Sequence, residues 1–147
     1  MIMDIINRIS AAISLAPLVR TATAVGVAVD MQGNAAGGLL IYGGVGGITF
    51  DANNRIDHVL EYSQDGSTWT QVSRGDVYRQ GEKDPFAITN GVIESYSAAR
   101  AAAGFTAYHF NRLARYWRHT ATYVGTHGTG TLVQSIIVRG SKHRLSQ

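Results

Sequence analysis

Five histidines, ten carboxylates and thirteen basic side chains are the groups of this 147-residue chain that could do chemistry, and their spacing argues against most of it. His58, His109, His119, His127 and His143 never fall three to five residues apart, so the local pairing of common metal sites is missing. His109 and His119 could still face each other across two adjacent strands. Cysteine is absent, which removes thiol catalysis, disulfides and cysteine-bound zinc. No serine stands in a G-x-S-x-G elbow. Asp51-Ala-Asn-Asn54 opens like a calcium loop but lacks the glutamate at the twelfth position, so it reads as a turn. Gly43-Gly-Val-Gly-Gly47 is followed by strand-like Ile48-Thr-Phe50, not by a helix start or a Lys-Ser/Thr pair. It reads as a turn between strands, since a phosphate cradle needs the N-terminus of a helix. The residues therefore predict no catalytic side chain, no cofactor site and no metal site, and hence a protein that is not an enzyme.

Charge narrows the partners. The formal net charge is +3, and eleven of the thirteen basic residues are arginine, the side chain that interfaces enrich. Arg115-Tyr-Trp-Arg118 mixes bases with aromatics, as binders of single-stranded nucleic acid do. It is one isolated stretch, and it reads as a core tryptophan beside solvated arginines, with no direct nucleic-acid contact. The C-terminal cluster Arg139, Lys142, His143 and Arg144 supplies candidate partner contacts in Arg139, Lys142 and Arg144. No apolar run approaches the roughly 20 residues of a membrane helix, so no membrane partner is expected.

The elements that must position these groups read mostly as strands. Thr21–Val29 alternates and is β-branched; Leu39–Tyr42 is a short apolar run; Asp57–Ser63 alternates, with His58, Leu60 and Tyr62 on one face. Gln64-Asp-Gly-Ser67 then predicts a tight turn, because glycine tolerates the positive φ that such a turn demands. Thr68–Val72 follows as the return strand, with Trp69 and Val72 on the core. Phe105–Phe110, Tyr116–Val124 and Thr131–Val138 complete the series. Asp30–Gly33 and Gly125–Gly130 read as turns. Ser95–Ala103 has helix-forming composition, with Gly104 placed as a cap. Short strands at regular spacing predict an all-β fold, an antiparallel β-sandwich or jelly roll. The divisions are an N-terminal arm or short helix over residues 1–20 and one domain over 21–147, with an irregular or helical insert at about 76–104.

The N-terminal segment stands apart. Ile2, Ile5, Ile6, Ile9 and Ile13 recur at steps of three and four, an apolar helix face, although isoleucine also suits an extended arm. Asp4 and Arg8 interrupt it, which fits a signal peptide poorly. Pro17 ends any helix before it. The segment packs on its own domain as a terminal helix or strand, or on a neighbouring subunit as an arm, and these five isoleucines are the candidate subunit interface.

Two resemblances follow from the motifs. Leu60–Val72, with its Glu-Tyr-Ser-Gln-Asp-Gly-Ser-Thr-Trp core, and Ala114-Arg-Tyr-Trp-Arg118 resemble the discoidin-type carbohydrate-binding β-sandwich over about a third of the chain. Over most of the chain the layout is similar to that of small tailed-phage virion proteins. It runs from Leu15-Ala-Pro17 and Val29-Asp-Met-Gln-Gly33 through Leu60–Val72 and Ala114–Arg118 to Thr126–Thr131 and Val138-Arg-Gly140. This second resemblance implies a capsid decoration (cement) protein on the virion surface, with a β-sandwich body and the major capsid protein as partner. It further implies a homo-oligomer, a trimer being favoured. The other reading is a carbohydrate- or receptor-binding module of a phage tail or fibre, using aromatics such as Tyr78 or Tyr123.

Overall fold

A computed structural model of the chain describes residues 9–34, 36–45 and 49–140. Within them the chain is all-β, with two antiparallel sheets packed face to face as a β-sandwich. Sheet I has the order β1 (Ile9–Arg20), β11 (Thr131–Gly140), β4 (Gly37–Gly43), β9 (Gly104–Phe110), β7 (Val77–Arg79). Sheet II runs β2 (Ala24–Val25), β10 (Tyr116–Val124), β5 (Arg55–Ser63), β6 (Thr70–Gln71). β3 (Val29–Asp30) also pairs with β10, and β8 (Val92–Tyr96) with β5.

Alternation decides which side chains meet between the layers. Leu39, Ile41, Tyr108, Val133 and Ile137 point inward from sheet I, and Ile56, Leu60, Trp117 and Ala121 from sheet II. Trp117 is the largest enclosed side chain and stacks on Phe110 at 3.9 Å. Each leucine, isoleucine and valine among them contributes about 1.5–3 kcal/mol by leaving water.

Several expectations need correction. From Ile9 to Arg20 the N-terminal segment is neither a helix nor a detached arm. It is the edge strand of sheet I, paired with β11 along its length, with irregularities between Ile13 and Leu15 and between Leu15 and Leu18. Pro17 falls in the irregular stretch at the sheet edge, where its missing N–H costs no ladder bond. Arg20 donates to the carbonyls of Ala16, Leu18 and Val133 and braces it. Ile2, Ile5 and Ile6 lie outside the described residues.

Thr21–Val29 is not one strand. It breaks at Gly26, whose N–H donates to His119 O at 2.8 Å. A Cβ there would collide with that same oxygen and with Ser14, so only glycine lets the chain pass between β10 and β1. Ser95–Ala103 is not a helix either. Ser95 and Tyr96 end β8, and the rest is irregular. Burial of Tyr96 against His58, with the Arg100 guanidinium 3.8 Å over the Tyr96 ring, outweighs the alanine propensity. The segment from 76 to 104 supplies β7 to one sheet and β8 to the other. Thr49 and Phe50 form no strand, although Phe50 is buried. Trp69 is not in the core. It is half-buried under the Arg118 guanidinium, 4.1 Å from its ring, while Val72 is buried as expected.

Candidate interaction surface

The two outward faces of the sandwich differ in kind. On sheet II, Arg55 pairs with Asp57 at 3.0 Å and Arg118 with Glu61 at 2.8 Å. Thr122 on β10 stands directly opposite Asp57. This is a water-facing surface: one half-buried ion pair along β5 and one between β10 and β5, with threonine beside them.

Among the described residues, the outward rows of sheet I hold no ion pair. Its register lines up outward residues in rows across the strands. One row runs Ile13, Ile136, Leu40, Ala107. The next runs Ala11, Val138, Gly38, His109, Tyr78. A third runs Gln134, Tyr42, Phe105, and Val19 stands opposite Leu132. Among the described residues, no Asp, Glu, Lys or Arg occurs in these rows. The polar members of the rows are Gln134, His109, Tyr78 and Tyr42. Ile13 and Phe105 are 51% and 67% exposed. Aromatic pairs stiffen one end of the face: Tyr42 against Phe105 at 4.9 Å, and Tyr78 stacked on His109 at 5.2 Å. Gly38, lacking a side chain, leaves a shallow groove between Val138 and His109.

Monomers in water rarely keep an apolar patch of this extent open, because scattered apolar residues are normal but contiguous ones invite association. Val27 lies at the edge of β1. Val27 donates its N–H to Ser14 O there and is 69% exposed.

The structure scatters the remaining sequence-selected residues. Ile9 and Ile13 lie on this outer face, each hydrogen-bonded within its own sheet. Arg139 is half-buried and donates to Asp30 O at 2.9 Å, so it braces the Asp30 turn. Lys142 and Arg144 lie outside the described residues, as does His143. Tyr123 gives its hydroxyl to Thr131 O, and burial pushes that hydroxyl's pKa up to about 12. Tyr78 is committed to its stack on His109.

His109 and His119 do not meet. His109 faces outward on sheet I, whereas His119 points into the core from sheet II. The partner of His119 is His58, with Nδ1 of His58 3.0 Å from Nε2 of His119. One ring donates and the other accepts, so the accepting ring is neutral. Burial holds both below the usual histidine range, His119 at about 3, and the positive charges of a protonated His119 and of Arg100 press His58 the same way. Among the described residues no three His, Asp or Glu side chains gather where they could hold a metal. An open notch lies among Asp30, Gln32, Asn34, Gln64 and Arg115. Its polar groups satisfy one another: Arg115 pairs with Asp30 at 3.3 Å, and Gln64 bonds Leu113 O and Arg115 N.

No protein-family model, curated protein or solved structure matches this chain.

Proposed function

We propose that this chain is a structural virion protein, a capsid decoration protein that binds an assembled shell and stabilises it. The observation that carries the reading is the polarity difference between the two sheets. A sandwich with one ion-paired face and one uncharged apolar face is built to be half-covered. The virion-protein layout of the motifs names the assembly in which such a module serves. Its partner in that reading is the major capsid protein, its place the capsid surface, and its form a homo-oligomer.

The mechanism is mass action. A protein that binds the assembled shell and not its dissociated subunits stabilises the shell by RT ln(1 + [L]/Kd), about 2.7 kcal/mol at a hundredfold excess over Kd. Repeated at many equivalent positions, that term opposes the outward pressure of packaged DNA. No covalent chemistry is involved.

The test is to prepare shells without this protein, add it back at increasing concentration, and follow thermal disruption of the shell. A saturable rise in disruption temperature supports the reading, and no rise at saturating protein contradicts it.

A second reading rests on the aromatic pairs Tyr42–Phe105 and Tyr78–His109, which offer flat rings for sugar stacking. Binding of a defined glycan, lost in Phe105→Ala while shells remain unbound, favours a carbohydrate- or receptor-binding module instead.

A further inference from the structure

We infer that the outer face of sheet I is covered by a second copy of this chain, packed sheet-on-sheet about a two-fold axis. The inference rests on reading the chain as an assembly protein and names what sits on its uncharged face.

Three observations select this occupant. The first is charge. The rows through Ile136 and Val138 hold no Asp, Glu, Lys or Arg among the described residues. Nothing there selects a nucleic acid or a charged peptide, and a copy of the same face meets it without like-charge repulsion. The second is shape. The face belongs to a five-stranded sheet, and the established way to cover one sheet is with another, at about 10 Å spacing and a small angle. A face that pairs with itself is isologous and closes at two copies.

The third is area. Strands of 12, 10, 7, 7 and 3 residues give a face of roughly 600 Å2 in plan at a spacing of about 4.8 Å and a rise of about 3.3 Å. Side-chain relief, with Phe105 67% exposed, and the exposed rim at Val27 raise this toward the ~800 Å2 per partner of a stable pair. Ile13, Ile136, Leu40, Tyr42 and Phe105 form the contact centre, and the ion-paired faces of the two sheets II turn outward to water or to the shell.

The test is the oligomeric state in solution of the full chain, by size exclusion with light scattering. The native protein is expected at twice its 15.8 kDa monomer mass. Phe105→Arg and Ile13→Arg place a charge at positions already more than half exposed, so the fold survives. Circular dichroism checks this. Each is expected to weaken the pair at least a hundredfold, while Thr122→Arg on sheet II leaves it intact. A native monomer, a three-fold oligomer, or a pair that persists in both folded variants overturns the inference. Shell binding, measured in parallel, separates the two claims. A stable pair that ignores shells sinks the functional proposal and leaves the inference standing. A native monomer whose shell binding is lost in Phe105→Arg gives the face to the shell and overturns the inference.

Discussion

Nδ1 of His58 and Nε2 of His119 lie 3.0 Å apart, with both rings fully enclosed between the sheets. Glu94 stands opposite His58 across β8 and β5, and its carboxylate accepts from the Thr106 and Tyr108 hydroxyls. The Tyr96 ring meets His58 edge-on at 4.4 Å, and its hydroxyl's pKa is pushed up by burial. Arg100 stacks on Tyr96 and adds positive charge.

The first prediction follows from that pair. Both histidines bind a proton in the unfolded chain near pH 6.5 and resist it in the folded one. The unfolded state therefore holds more protons as pH falls, and stability drops below about pH 6.5. Each histidine removes about 1.4 kcal/mol per pH unit until the folded chain is itself protonated. Asp30 and Asp51 are held below the usual carboxylate value by backbone N–H donors, so their losses begin only near pH 4. Chemical unfolding at pH 7, 6 and 5 should show the decline, and His119→Gln should halve its slope. A flat profile over this window contradicts the buried neutral pair.

The turn after β5 gives the second. Gly66 has φ of 77°, and a Cβ there would meet only the Tyr116 ring at 3.5 Å, an ordinary contact. Strain alone then sets the cost. Gly66→Ala should lose about 1–2 kcal/mol, and Gly66→Val more. The Asp65 carboxylate holds the turn by accepting from the N–H groups of Ser67 and Thr68. Unchanged thermal stability of Gly66→Val contradicts this geometry.

The two tryptophans provide the third prediction, because they differ where sequence makes them alike. Trp117→Ala empties the centre of the core and should cost about 3–5 kcal/mol. Trp69→Ala loses partial burial and an arginine contact worth about 0.5–1 kcal/mol. Denaturant titration of both variants measures the gap, and equal losses contradict the placement of Trp69 outside the core.

What the sequence made legible was local. β10 is Tyr116–Val124, the span its alternation predicts, and Trp117, His119 and Ala121 do point inward. The N-terminal strand was harder to read for a physical reason. Ile9 and Ile13 are four apart, a step that puts two residues on one face of a strand as well as of a helix, and the irregularities after Ile13 and Leu15 break the alternation that would tell the two apart. Ser95–Ala103 shows tertiary contacts overriding composition. The apolar face was illegible because alternation tells which side of a strand is apolar, not which strands adjoin. Leu40 and Ile136 are 96 positions apart in the chain and neighbours only through the pairing of β4 with β11. The His58–His119 pair has the same origin: both lie on well-predicted strands, yet only the pairing of β5 with β10 brings them together.

The most direct measurement of the central claim is the copy number of this protein in purified particles of the source that encodes it, by quantitative protein composition. A decoration protein should be present in numbers comparable to the capsid subunits, hundreds per particle. A handful of copies, or none, contradicts the account and points to a tail component or to a role outside the particle.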